Sequence, residues 1–596
     1  MACIGAGPWQ QGVDPADAMN GRPGEGGHFA PNGCHGSPSQ ELLPQVLRDA
    51  EATKCANKRI LRDASDHRKL LARVESEGDA MHALNVCTLL HRLARCLARE
   101  GGAALAEKSR AMQQSAPWRR LLGLVHRHAP NLNNMELTNC LWAMATLDAR
   151  GEAEEAVALE LMGLCIAHLE TFEPRNLALS AWALAKMGNT DPAWCRKWAE
   201  HVLASLPAFD TRDMTMVLWA FATVHWRNEA FLEHFCREVE AKSEGTSPQD
   251  IGNTLWALAT LSCRNEAALA ALCAQCFKKA ELFDQQNLSI SLWSLATLGY
   301  KNMNLLHHMT QLVTERIRNF APQGIANTVW ACAKFQFQQK CLLMTAAEEA
   351  IPRLDDFEPQ HLAIVAWAYA TLEFPNRPLL TALCRAASRK MHAFGPQHMA
   401  NLTWAMATLA HKDAGYLQVL ARRAMEQVEG FNPQECSNLA WALALLTFRD
   451  DELLAALSLR SREIVQDFIP QNLGNTAWAY NRLGFRDEPL MRALVGQAAL
   501  RLRECQGQEV LDLIESVGTG GYAEAVDPGD WRTLVGWASQ KYDLCRDFLE
   551  REAGLPLRLR ALPAFDRALA VQDYRDHLAS FDLIGLGYHY TSQLLG

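Results

Sequence analysis

No run of 18 or more apolar residues occurs in the 596-residue chain, so no segment is suited to cross a bilayer as a helix. An excess of positive charge is missing as well. With 58 Lys and Arg against 67 Asp and Glu the net charge is −9, which argues against a body that holds nucleic acid by bulk electrostatic attraction. Catalytic strings are also lacking: there is no HExxH, no GxSxG and no kinase signature. The one CxxC, Cys273 to Cys276, has no second pair to complete a zinc site and is expected to be two buried thiols one helical turn apart. Gly518-Thr519-Gly520-Gly521 follows no strand pattern and lacks the Lys of a phosphate loop, so it reads as a break. His307-His308 has no metal-ligand spacing. These absences predict a protein that is not an enzyme and needs no metal or cofactor. The 18 cysteines are scattered through helical patterns, not set in a short loop-rich framework, and are expected to be reduced thiols of an intracellular protein.

What the sequence does have is a period. Tryptophan stands at 142, 182, 219, 256, 293, 330, 367, 404, 441 and 478, and from Trp182 onward every interval is 37 residues. Phe357-Glu358-Pro359-Gln360-His361-Leu362 leads into Trp367 as Phe468-Ile469-Pro470-Gln471-Asn472-Leu473 leads into Trp478. Proline suits the first turn of a helix, where its missing N–H and fixed φ do no harm, and the preceding Phe can staple that turn. A second helix follows a polar break such as Asn265-Glu266, with Leu269, Leu272, Cys276 and Ala280 spaced by three and four. Such a hairpin cannot bury its own faces and must stack on copies of itself. The fold expected is all-α, an α-solenoid of about ten 37-residue hairpins with degenerate caps.

The residue four before the Trp is small or Thr (Ala178, Gly252, Ser289, Ala326, Ala363, Ala400, Ser437, Gly474), and the residue three after is Ala in nine of ten copies. Those positions share the Trp's stripe, so the Trp ladder is expected to be core. His91 takes the Trp's place before the array and Glu515 takes it after, giving one degenerate unit at each end. Residues 1–40 are rich in Gly and Pro and are expected to be a disordered leader, without the Arg-rich, acid-poor composition of a transit peptide or the apolar core of a secretory one. Residues 41–115 read as an N-terminal helical region holding the first degenerate repeat, 116–517 as the tandem array, and 518–596 as a segment of unassigned type, either a small mixed domain or a helical extension.

A second stripe of the first helix is polar. Six before the Trp stand Glu136, Asn176, Asp213, Asp250, Asn287, Gly324, His361, His398, Glu435 and Asn472. Three before it stand Asn139, Asn253, Asn327, Asn401, Asn438 and Asn475, with an aliphatic residue in the other four copies. Four after it stand mostly Thr, with Lys186, Lys334 and Arg482. A constant scaffold carrying a polar side chain that changes once per repeat suits a reader of an extended ligand. Splayed bases of single-stranded RNA are such a ligand, met by amide and carboxylate side chains at about one base per repeat. Phosphate contacts would fall to Arg175, Arg212, Lys186, Lys334 and Arg482. Helix capping accounts equally well for the position six before the Trp, and an inter-repeat amide ladder could account for the Asn three before it. A scaffold that binds an extended peptide or a partner's helix is the rival to RNA.

The string Phe-x-Pro-Gln-x-Leu-x-Asn-x-x-Trp-Ala-x-Ala-x-Leu, at its 37-residue period over about residues 80–517, resembles octotricopeptide and heptatricopeptide repeats. It is also similar to the helical arrays of Fas-activated serine/threonine kinase-like proteins and of RNA-editing substrate-binding complex subunits. The resemblance implies an organellar RNA-binding protein of the mitochondrion or chloroplast, acting in processing, stability, editing or translation of transcripts, with other proteins of an RNA-processing complex as partners. The basic RAP domain that ends many such proteins has no counterpart in residues 522–596. Without the resemblance the default location is the cytoplasm.

Overall fold

The computed structural model describes residues 42–99, 102–188, 191–505 and 507–542, and among them every regular element is a helix. The expected leader 1–40 and residues 543–596 lie outside the described residues. The fold is the all-α solenoid expected from the period. Two units divide it, residues 1–349 and 350–596.

In the first unit the repeated hairpins run from Asn134–Thr146 with Glu152–His168 to Pro322–Lys334. Each first helix packs on the first helices of its neighbours and each second helix on second helices, making two layers. Two degenerate hairpins precede the array, where the sequence showed one. Ala83–Ala98, which carries His91, pairs with Ala116–His128 across an inserted helix, Gly102–Gln113. Ahead of it, Leu42–Arg62 and His67–Glu77 pack on those two helices and form an outer cap. The cap was illegible because it has no ring at the Trp position and its outer face is polar. In the second unit the hairpins run from Pro359–Thr371 with Arg377–Lys390 to Pro470–Leu483 with Glu488–Leu500. Gly507–Thr519, which carries Glu515, then packs on Pro470–Leu483, and Pro528–Tyr542 on Glu488–Leu500, so the described part of the C-terminal segment supplies the second helix of the degenerate last repeat.

Local chemistry sets each helix boundary. Ser247, Asp210, Asp284, Asn133 and Asn432 accept from the third backbone N–H of their helices. From Glu152–His168 to Asp451–Glu463 the second helices tighten into a short 3-10 turn, after which an extended, buried residue such as Phe209, Phe283, Phe357 or Phe431 leads into the next first helix. Among the described residues the hairpin turn is the same from copy to copy. The residue six after the Trp is left-handed: Gly188, Gly299 and Gly484 at φ 64–78°, and seven non-glycines, Asp148 to Thr447, at φ 48–53°. The next N–H bonds five residues back, as His411 to the Met406 carbonyl at 2.8 Å, closing a Schellman cap.

Cations fix the repeat spacing. Lys242 Nζ donates to the Phe209 carbonyl at 2.7 Å, Lys279 to Thr246 at 2.7 Å and Arg316 to Phe283 at 3.1 Å, each reaching the previous repeat's turn. Lys390 to Phe357 at 2.8 Å and Arg460 to Phe431 at 3.0 Å repeat this in the second unit. From the hairpin turns, Lys301 reaches forward to the Phe335 carbonyl at 2.7 Å and Arg449 to Gly484 at 3.0 Å. Such charge-assisted bonds satisfy carbonyls that a helix end leaves bare.

The left-handed turn generates a prediction. Ala410, at φ 50°, is exposed and holds a conformation that costs an alanine about 1–2 kcal/mol relative to glycine. Ala410→Gly should stabilise the second unit by about 0.5–1 kcal/mol after the entropy lost by glycine. Urea unfolding measures this, and a destabilised variant would contradict the assignment.

Candidate nucleic-acid interface

A helix advances about 100° per residue, so positions seven before, three before and four after the Trp fall within about 60° of the Trp itself. Beyond its first turn, each first helix of the array is open to solvent chiefly along that stripe. In Pro396–Thr408 the residues not fully buried after the first three are Asn401, Trp404 and Thr408; in Pro433–Leu445 they are Asn438, Trp441 and Leu445. The polar stripe expected from the sequence extends to the residue six before the Trp, about 120° round from it. Its positions three before and four after the Trp fall on the open stripe, together with the Trp and the residue seven before it, where Arg175 and Arg212 stand in two copies.

The position seven before the Trp is glutamine in seven successive copies, Gln249, Gln286, Gln323, Gln360, Gln397, Gln434 and Gln471, which the sequence analysis did not single out, and Arg175 and Arg212, expected there as phosphate contacts, in the two copies before them. The signal was present as the Gln of the Pro-Gln pair, read only as part of a helix start. All seven glutamines are at least partly exposed.

The expected core ladder is core in part. Trp142, Trp182, Trp219, Trp256 and Trp330 are buried, whereas Trp293, Trp367, Trp404, Trp441 and Trp478 are half-buried. In the first unit the rings follow one another at 6.3, 6.1 and 6.2 Å from Trp142 to Trp256, and Trp293 and Trp330 are 6.1 Å apart. Within the first unit the rings thus make a closely spaced row along the open stripe. Lys186 lies over Trp182 at 5.6 Å and Lys334 over Trp330 at 5.8 Å, and in the second unit Arg482 lies over Trp478 at 5.6 Å.

The residues six before the Trp point elsewhere. Each is the third residue of its helix, and the side chains of Glu136, Asn176, His361, His398, Glu435 and Asn472 accept from the backbone N–H at the cap. Asp213 and Asp250 are turned between repeats, and burial raises both carboxyls. Arg175 pairs with Asp213 at 2.5 Å and Asp250 with Ser247 at 2.6 Å. This row meets the small residues four before the preceding Trp: Asn176 Nδ2 donates to Thr138 at 3.4 Å, and a Cβ on Gly252 would come within 3.1 Å of Asn287 Oδ1. At Gly474 the obstacle would be the Glu509 backbone, 3.1 Å away. Placement thus gives Asn176, Asp213, Asp250, Asn287, His361, His398, Glu435 and Asn472 a spacing and capping job.

On the open stripe Asn139, Asn401, Asn438 and Asn475 are half-buried, while Asn253 and Asn327 are buried at 0% and 6% exposure. Several polar atoms there have no hydrogen-bond partner among the described residues: both amide atoms of Asn253, Oδ1 of Asn327, Nε1 of Trp142, Trp182, Trp219 and Trp330, and Oγ1 of Thr146 and Thr371. A buried polar group left bare costs about 1–3 kcal/mol, so a row of them on one face is hydrogen-bonding capacity that the fold itself does not use.

Residues 118–304 and 298–518 match the model of the RNA-editing substrate-binding complex 6 protein family. The chain belongs to that family. No curated protein matches it. Among solved structures, a homology model of the full-length AP-3 complex in an intermediate open conformation is 10% identical, over 86% of this chain and 94% of that one, with a TM-score of 0.25. The pentatricopeptide repeat protein PPR10 from maize is 11% identical over the same shares, with a TM-score of 0.26. No helix among the described residues is long and apolar enough to cross a membrane, and none of them form a group of three or more metal-binding side chains. Cys273 and Cys276 are buried, and burial raises both thiols, that of Cys273 to about 12.

His91 continues the ladder, 5.1 Å from Trp142. Burial, then the charges of Arg92, Arg95 and Arg175, lower its pKa from 6.5 to about 4. The unfolded chain therefore takes up a proton between pH 6.5 and 4 that the folded chain refuses, so His91 lowers stability as pH falls through that window and adds no change above it. Relative to His91→Phe, the protein should lose up to about 3 kcal/mol between those limits. Denaturant midpoints at several pH values measure this, and parallel profiles for the two proteins would contradict it.

Proposed function

We propose that the chain is a non-catalytic, single-stranded RNA-binding protein of a mitochondrion or chloroplast, acting within an RNA-processing complex. The observation that carries this reading is the open stripe of the first helices. In each unit it brings an indole, an amide three residues before it, a Gln or Arg seven before it and a hydroxyl or cation four after it to one face. Indole faces suit stacking with bases, at about 1–3 kcal/mol per base, and unpartnered amides suit base edges. Lys186, Lys334 and Arg482, already lying over rings, can meet phosphates beside stacked bases. The organelle and the role in editing, stability, processing or translation are supported by the family alone.

One observation favours a protein partner instead. The net charge is −9, and many of the array's cations are committed to inter-repeat carbonyls. Selection of the full chain against a randomised single-stranded RNA pool at physiological salt separates the two readings. An enriched motif supports RNA; no retention above a double-stranded DNA control supports a protein ligand. Within the RNA reading, Asn401, Asn438 and Asn475 are accessible enough to reach a base. Their combined replacement by Ala should weaken RNA binding about tenfold or more, at about 0.5–1.5 kcal/mol per lost bond, with the melting temperature nearly unchanged. A large fall in melting temperature with RNA affinity intact would assign the three amides to the scaffold.

A further inference from the structure

In the second-helix layer of the first unit, one joint between neighbouring repeats is made of two thiols. Cys236 lies in the middle of Glu229–Lys242, buried to 1% exposure, and Cys263 lies in the turn that closes the next first helix, Pro248–Thr260. Their sulfurs are 3.9 Å apart. Cys263 is half-buried between exposed Ser262 and exposed Arg264, so its sulfur is within reach of a small solute.

Equivalent joints are closed differently. Cys263 stands seven after its Trp, with its N–H on the Leu258 carbonyl at 2.8 Å as part of the Schellman cap. Most copies carry a ring at that position, as Trp226, Tyr300, Phe337, Phe374, Phe448 and Phe485 do. Phe337 shows the ring's use: it packs against His307 of the preceding second helix, with centroids 4.8 Å apart. Buried thiols recur at the register of Cys236, as Cys273 and Cys384, but the turns that follow those two carry Tyr300 and His411. Packing alone therefore accounts for Cys236 as a small apolar residue. It does not account for a thiol where the facing ring should be.

The surroundings also give the two sulfurs different characters. The hydrogen bond with Cys236 is the largest influence on Cys263 and lowers its pKa; burial and Glu229 oppose that, and Arg227 adds to it. The same hydrogen bond, then burial, raises Cys236. Arg227 and Glu229 pair with each other at 2.7 Å on the surface. Cys263 is thus the sulfur that ionises first, and a thiolate is the reactive form.

We propose that Cys236 and Cys263 form a modification site, a dithiol that a hydroperoxide converts to a disulfide joining one repeat to the next. With hydrogen peroxide, the Cys263 thiolate attacks one oxygen, the O–O bond breaks, and the leaving hydroxide takes up a proton to become water; Cys263 is left as a sulfenic acid. Cys236 then attacks that sulfur, the S–O bond breaks, and the departing hydroxide carries away the Cys236 proton as a second water. The two sulfurs together lose two electrons, and the peroxide gains them. Closure brings the sulfurs to about 2 Å. Cys263 has the freedom to make that move, because it lies in the non-helical stretch between the cap and Asn265, which starts the next helix. The site stands whether or not the chain binds RNA.

The test treats the full reduced chain with hydrogen peroxide at neutral pH, alkylates it after unfolding and maps the tryptic peptides by mass spectrometry. Peptides 228–237 and 243–264 should appear joined, and alkylation of both cysteines should fall to near zero until dithiothreitol restores it. In Cys236→Ser, Cys263 should accumulate as a sulfenic acid that dimedone traps; in Cys263→Ser, buried Cys236 should stay a free thiol. Cys263→Ser changes a half-buried turn residue and keeps the test open if loss of the buried thiol unfolds the protein. Both cysteines still open to alkylation while exposed Cys341 is oxidised would overturn the site, and so would joined peptides recovered only from covalent dimers. Amide hydrogen exchange across Glu229–Lys242 should slow by about threefold or more on oxidation. Unaltered exchange would overturn the claim that the bond ties the repeats together.

Discussion

Each first helix passes its neighbour through one close contact, and the open face follows from it. The side chain six before a Trp sits against the small residue four before the preceding Trp, where Gly252 meets Asn287 and Gly474 meets the backbone of Glu509. That approach turns one side of the helix into its neighbour and leaves the opposite side to the second-helix layer. Only the arc holding the Trp, the Asn, the Gln or Arg and the Thr or Lys remains. A bulkier residue at the close contact would push the first helices apart. In the first unit the close spacing of successive indoles, about 6 Å, would go with it.

The 37-residue period was legible because every copy solves the same packing problem, and the Pro, Phe and Trp that solve it are conspicuous residue types. Helix boundaries were legible for the same reason. The direction of the polar side chains was not. Positions six before and three before the Trp differ by three residues, close enough to read as one stripe, yet the first caps its own helix and spaces the repeats while the second faces outward. Which of two adjoining stripes is open depends on where the neighbouring helix lies, and that is a tertiary fact. The glutamine seven before the Trp was in plain view, and its alternative explanation as a helix-start residue hid it. The outer N-terminal hairpin had no periodic residue to betray it.

Charge is distributed by the same logic. A body of net charge −9 keeps many of its array lysines and arginines on carbonyls of adjoining repeats, where they fix spacing. The cations left near the open stripe are few and local, such as Lys186, Lys334 and Arg482 over rings. Such an arrangement weakens indiscriminate attraction to polyanions and leaves recognition to stacking and hydrogen bonds. Membership of the RNA-editing substrate-binding complex 6 protein family is consistent with a surface of that kind.

Photo-cross-linking of the full chain to a single-stranded RNA containing 4-thiouridine, followed by mass spectrometry of the adducts, tests the placement of the working face most directly. Adducts should fall on the stripe, at residues such as Gln397, Asn401, Trp404, Gln434, Asn438 and Trp441. Adducts confined to the second-helix layer, at exposed side chains such as Leu159, Phe277 and Leu459, would contradict it.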